Sequence, residues 1–512
     1  MNLNTQNAVS VSSNHVGILM GFFKKFLRLL RISKNPEESN RKMSGINSDD
    51  DYTETPPKKS QSVYDINQAA SSDEIEVAGT SSNSSDQVPL PSIFKLTIDC
   101  FDEIFEYLNV KDLHSFGQTC TRMNKVAGEY FKRNYKRCEK FTHYNGIYTV
   151  YSDHEGVSNE RTQTSGFNRF IHNISQYYEN VGPLSYIETS VNEFESVGDI
   201  YFVCTCIDAH KIKNFKPILP QVETIRLHQC TGRGDVYEVL LQFCTNLKNL
   251  TIYDDVGYII NSYRRNDWLN KCYPKLEHIT LSPRINKEIP DLSAFFQQNA
   301  SVQSFSTTSQ FLWMNQGQLD ASNVKLNVLG VEFTKKFGSN LSSLGQFRDL
   351  FNEMHGKGIF KGLHLTVERI NQQFCDEIVS LPAVEKLTLR EFNEIYSLHQ
   401  LTGLKELTLP SGLTSKDIEM LANNLVNLHT VSISSVTSND LLPFMRCAKL
   451  RKLYAYLNGG ILNLSKLNKE RGKLGNAWKV VIYLNQNIFL ATKWSIGNTN
   501  LKFVEIKRSC AE

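Results

Sequence analysis

Residues 384–409 read VEKLTLREFNEIYSLHQLTGLKELTL and hold one six-residue pattern twice, VEKLTL from Val384 and LKELTL from Leu404. In each copy an apolar residue is followed by two variable ones, a second apolar residue, one variable residue and a third apolar one. The last two apolar positions are two apart, the spacing that puts side chains on one side of a β-strand. So short a strand cannot bury that side alone. The 20 residues between the two starts allow the chain to turn back and lay a second strand beside the first.

The pattern recurs on both sides of this segment. Upstream it appears as VGDIYF (Val197), VETIRL (Val222), LKNLTI (Leu247), LEHITL (Leu276), VQSFST (Val302), LNVLGV (Leu326) and FKGLHL (Phe360). Downstream it appears as LHTVSI (Leu428), LRKLYA (Leu450), AWKVVI (Ala477) and LKFVEI (Leu501). Successive starts lie 20 to 34 residues apart and average near 25, within the leucine-rich-repeat range of about 20–29. The 34-residue step from Leu326 to Phe360 is expected to hold an insertion at GSNLSSLGQ. Helical return paths are expected where Val236, Val239, Leu240 and Phe243 share one face and Ile418, Leu421 and Leu425 another, the latter behind a T-S-K-D capping box at Thr414. A polar ladder residue after the strand is matched by Cys230 and is otherwise irregular.

Alternation places the residues between the apolar positions on the exposed concave sheet. They include Arg226, His228, Tyr253, His278, His364, Arg390, Tyr454, Tyr456 and Tyr483, residue types that anchor protein interfaces. Twelve strand spacings of about 4.8 Å give a face about 60 Å long, the size of a protein surface. These nine are the candidate substrate-binding residues.

The sequence ahead of the repeats falls into three parts. Residues 1–89 join a basic amphipathic stretch, GILMGFFKKFLRLLRI (Gly17–Ile32), to a Ser-, Asn- and acid-rich run that reads as a disordered linker. The amphipathic stretch is suited to peripheral contact with an anionic membrane surface. Residues 90–140 are expected to form three short helices, the first capped by Thr97 with Phe101, Ile104, Phe105 and Leu108 along one face. Residues 141–195 are expected to connect and cap the array that fills residues 196–512.

Residues 96–131, which open LTIDCFDEIFEYLNVKDLHSFGQTCTRM (96–123), resemble an F-box, and with the repeats behind them the chain is similar to F-box proteins of the leucine-rich-repeat type. The usual Leu-Pro opening is here Leu96-Thr97, and the usual Trp after the Cys is Met123. The resemblance implies docking on a Skp-type adaptor, and through it a cullin, with Leu96, Phe101, Ile104, Phe105, Leu108, Leu113, Cys120 and Met123 as the adaptor contacts. It also implies a protein substrate on the repeats, ubiquitylation leading to proteasomal degradation, and a place in the cytoplasm or nucleus. The resulting fold class is α/β: a small all-helical module followed by a curved solenoid with parallel strands inside and helical returns outside. The alternative is a membrane-associated repeat scaffold held by Gly17–Ile32, with the short helices as its cap.

No catalytic chemistry is visible. There is no Walker-type loop, H-E-x-x-H, G-x-S-x-G or paired-cysteine metal site. GRGD (232–235) reads as a turn. Eleven cysteines without framework spacing point to reduced thiols. A net charge of +3 over 512 residues gives no footprint for nucleic acid. No catalytic residue, metal or cofactor is expected.

Overall fold

The computed structural model describes residue 93 and residues 96–108, 110–135, 141–144, 147–150, 165–177, 191–233, 236–254, 267–283, 288–333, 342–392, 395–475, 477–496 and 501–509. Gly17–Ile32 and the linker after it lie outside these. The chain divides into two compact units, Met1–Phe101 and Asp102–Glu512. Of the first, the described part is short and ends in the opening residues of a helix.

Three helices come first: α1 (Ile98–Phe105), α2 (Val110–Gly117) and α3 (Thr121–Tyr135). The Thr97 hydroxyl accepts from the Cys100 N–H at 3.4 Å, so the expected residue caps α1. Strands β1 (Phe141–Tyr144), β2 (Ile147–Val150), β3 (Asn173–Tyr177), β4 (Asp199–Val203) and β5 (Cys206–Asp208) follow, then β6 (Thr224–His228), β7 (Thr231–Arg233), β8 (Asn249–Asp254), β9 (His278–Pro283) and β10 (Ser304–Thr308). The series continues with β11 (Leu326–Phe333), β12 (Phe360–Ile370), β13 (Val384–Phe392), β14 (Glu406–Leu409), β15 (Thr430–Val436), β16 (Lys452–Leu457), β17 (Val480–Leu484) and β18 (Val504–Arg508).

Sixteen of these strands form one sheet, ordered β2-β1-β3-β4-β6-β8 and then β9 to β18 in sequence, and all thirteen copies of the six-residue pattern supply a strand to it. Pairing is parallel throughout except between β1 and β2. The region read as a connecting cap is therefore part of the sheet, adding β1, β2 and β3 to its edge. The short pair β5–β7 lies apart. Gly232 and Arg233, expected to open a turn, lie in the strand β7; Gly234 and Asp235 lie outside the described residues.

Between strands the chain returns through α4 (Ala209–Ile212), α5 (Val236–Gln242), α6 (Leu292–Gln298), α7 (Ser309–Ser322), α8 (Ser342–Gly356), α9 (Gln372–Val379), α10 (Ser415–Asn424), α11 (Leu464–Gly472) and α12 (Gln486–Ile496). Other returns are single 3-10 turns, such as Asp267–Asn270 and Pro443–Arg446. The longest step is filled mainly by α8, so much of the expected insertion is helix. The capping box on α10 is present, Thr414 and Asp417 each satisfying the other's backbone N–H.

The pattern residues make the core. Ile225, Leu227, Leu250, Ile252, Leu407, Leu409, Val431 and Ile433 are all 1% exposed or less, each contributing roughly 1.5–3 kcal/mol by leaving water. Polar ladder residues close the repeat ends. The Cys230 thiol donates to the Phe202 carbonyl at 3.2 Å. Asn299 donates to the Lys271 carbonyl at 2.9 Å and accepts from the Tyr273 N–H at 2.5 Å. The ladder is irregular in residue type because Cys, Asn and Thr can each supply the one polar atom needed.

Candidate functional site

Two surfaces have the makings of a site: the three-helix module and the exposed face of the sheet.

In the module, Phe105 sits edge-on to Phe116 and to Tyr130, both at 5.2 Å between ring centroids. A second aromatic group arrives from residues 165–170. Phe167 packs against Phe131 at 5.3 Å and His114 at 5.0 Å. Two glycines admit it: a Cβ on Gly128 would stand 2.1 Å from the Phe170 ring, and one on Gly117 2.9 Å from Phe167. Burial holds the His114 imidazole below its usual pKa, in keeping with its apolar neighbours. The outer flank of the helices is tied by Asp102, which accepts two hydrogen bonds from Arg133 at 2.8 and 2.9 Å.

Most of the expected adaptor contacts are inside the chain. Phe101, Phe105, Leu108, Leu113 and Met123 are each 4% exposed or less, while Leu96, Ile104 and Cys120 are half-buried. Phe105, Phe116 and Tyr130 pack against one another within the module, and Phe167 and Phe170 cover it in a way no local spacing announces. Ile104 keeps accessible surface.

The last repeat reaches the module as well. Lys493 of α12 pairs with Glu103 at 3.0 Å and with Glu106, and its ammonium lies 5.3 Å from the Tyr107 ring centroid. Arg508 of β18 donates to the Glu106 carbonyl at 2.7 Å, and Trp494 meets Tyr107 edge-on at 6.0 Å. Burial works against the charge of Lys493, but its hydrogen bonds to Glu106 and Glu103 hold its pKa above the usual lysine range. Of these residues only Glu103, Glu106 and Tyr107 belong to the F-box-like segment, and none was expected from sequence.

On the sheet, strand register brings the candidates into rows. His228 stacks on Tyr253 and Tyr454 on Tyr483, each at 4.6 Å with planes 13° apart. Tyr456 is half-exposed beside Ser434. One row runs Glu332, Thr366, Thr388, Thr408, Ser432, Tyr454, Tyr483 and Lys507 across successive strands. Tyr454 and Tyr483 in it are among the nine candidates, and the same alternation marks its threonines. Arg226 and His278 are exposed. Arg390 pairs with Glu332 at 3.0 Å, and Lys386 with Glu406 at 3.1 Å. His364 lies in register between Gly330 and Lys386, and burial, aided by that lysine, lowers its pKa. The candidates thus divide into an aromatic pair near each end of the repeats and a hydroxyl-rich stretch between.

Among the described residues no three His, Cys, Asp or Glu side chains group to hold a metal ion. No helix among them is long and apolar enough to cross a membrane. The described residues form a short helical module ahead of a repeat sheet. In comparison with protein families, residues 93–132 match the F-box domain. The chain thus carries an F-box domain ahead of a parallel repeat sheet. Among solved structures, the crystal structure of the APL1 leucine-rich repeat domain is similar at 11% identity, covering 68% of this chain and 80% of that one, with a TM-score of 0.17. So loose a superposition carries no argument, and the fold rests on the strand order above. Comparison with curated proteins finds no match.

Proposed function

We propose that this chain is the substrate-recognition subunit of a Skp–cullin–F-box ubiquitin ligase. The F-box docks on a Skp-type adaptor, which links it to a cullin, and the exposed sheet face holds a protein substrate for ubiquitylation and proteasomal degradation. The observation that carries the reading is the F-box match at residues 93–132 in one chain with a sheet of sixteen strands. Such a subunit supplies no catalytic residue. It works by proximity, raising the effective concentration of a substrate lysine near the charged conjugating enzyme. The reading puts the protein in the cytoplasm or nucleus.

The test is co-expression of the full chain with a Skp-type adaptor, followed by size-exclusion chromatography. Ile104→Asp is the diagnostic variant, because Ile104 keeps accessible surface whereas an acid at buried Leu108 would unfold the module. Co-elution that Ile104→Asp abolishes, with the circular dichroism spectrum unchanged, supports the reading. A well-folded native chain that never co-elutes refutes it.

A further inference from the structure

The contact between the last repeat and α1 has a consequence for docking, given the receptor function proposed above. Helix α1 is eight residues long, so only about 12 Å of helix is available to any partner. Phe101 and Phe105 are buried on one side of it, and Leu108 is buried just past its end. Glu103 on its outward side and Tyr107, two residues past its end, are exposed. That side is where Lys493 and Trp494 are engaged. The helix end is covered too. α1 has no basic residue in its own last turn, and Arg508 supplies a cation to the carbonyl of Glu106 from over 400 positions along the chain, favourable at the negative end of the helix dipole.

We infer that the last repeat is an autoinhibitory clasp, in which Lys493, Trp494 and Arg508 hold the outward side of α1 and compete with the adaptor for it. A protein partner that uses Ile104 must also meet Glu103 beside it and Tyr107, whose N–H donates to the Ile104 carbonyl in the turn that ends the helix. Docking therefore releases Lys493 from its carboxylates. The clasp suits reversible use. Glu103 has 64% of its side chain exposed, and ion pairs of that kind are individually weak and sensitive to salt. A closed clasp divides the affinity for a partner by the fraction of molecules that are open.

The experiment titrates the full-length chain with purified Skp-type adaptor by isothermal calorimetry, comparing native protein with Lys493→Glu and Trp494→Ala. Lys493→Glu places an acid against Glu103 and Glu106 and opens the clasp. The apparent affinity should rise about fivefold to tenfold, from the loss of two ion pairs and one cation–π contact. Trp494→Ala should move it the same way by about twofold to threefold, since one edge-on ring pair is lost. Raising the salt concentration should strengthen binding by the native chain more than by Lys493→Glu. Equal or weaker binding by Lys493→Glu, beside measurable binding by the native chain, overturns the clasp and leaves the receptor function standing. No binding by either overturns both.

Discussion

Among the described residues Arg471 is the largest fully buried side chain, with none of its surface exposed. Its guanidinium donates to five backbone carbonyls: Met445 at 3.1 Å, Cys447 at 2.6 Å, Ala448 at 3.0 Å, Leu450 at 2.9 Å, and Trp478 at 3.0 and 2.9 Å. It therefore ties the 3-10 turn before β16 to the segment leading into β17. Burial lowers its pKa, while the Cys447 thiol acts the other way. Arg471→Met keeps most of the volume and removes every donor. The bonds to Met445, Cys447 and Leu450 are buried, and each orphaned carbonyl costs roughly 1–3 kcal/mol. Relief from burying a charge offsets part of that. The expected net loss is about 3–5 kcal/mol, the range for breaking one side of a buried polar network. Arg471→Lys should lose nearly as much, because a lysine ammonium has three donors for five acceptors. Repeat arrays unfold by neighbouring units, so β17 and β18 should detach first. Two of the four tryptophans, Trp478 and Trp494, lie in that part. Urea unfolding followed by tryptophan fluorescence should show a midpoint lower by ~1 M or more, at m-values of about 1–3 kcal/mol/M. A shift below ~0.3 M in Arg471→Met would refute the argument, since it would mean those carbonyls find other partners at little cost.

Three further outcomes are expected. Gly128→Ala would press a methyl into the Phe170 ring and should destabilise by about 1–3 kcal/mol, with Gly117→Ala milder, both read as falls in melting temperature. Thr414→Ala removes one half of the α10 capping box and should lower stability by about 1 kcal/mol, measured by chemical denaturation against Lys416→Ala as a surface control. His114 is buried, with its pKa below the usual value, so the unfolded chain binds more protons than the folded one on acidification. Its contribution is present above about pH 6.5 and is lost as pH falls from there toward the folded value. His114→Leu should flatten that part of the melting-temperature profile between pH 7.5 and 5.5, and an unchanged slope would contradict it.

The repeats were legible because each strand carries its own signal. An apolar pair two residues apart, returning about every 25 residues, fixes both the strand and its buried side, and Val384–Leu409 alone displays the rule. The strands β1, β2 and β3 gave no such signal, since a sheet edge extends by backbone pairing and asks little of side chains. The helical module shows a different limit. Periodicity finds that Phe101, Phe105 and Leu108 share a face, but whether that face is open depends on Phe116, Tyr130 and the distant Phe167. Likewise the Lys493–Glu106 pair joins residues 387 positions apart, and nothing local to either predicts it. The buried role of Arg471 was hidden for a related reason: an arginine in a polar helix stretch, LSKLNKERG, looks like any solvated one.

The sheet face itself constrains what recognition there can be. Its charges are largely turned toward each other, Arg390 to Glu332 and Lys386 to Glu406. These pairs are exposed and add little stability, but they cancel the field that would otherwise steer a charged partner from a distance. Between them runs a neutral row, Thr366 through Ser432 to Tyr454 and Tyr483, ending beside Lys507. A partner held there would gain its affinity from ring contact and hydroxyl hydrogen bonds made at close range. Changes to such a surface act on the rate of dissociation more than on the rate of encounter. Tyr454 and Tyr483, already stacked and so already ordered, would lose little further freedom under a partner, and the equally stacked His228 and Tyr253 would behave alike at the other end of the face.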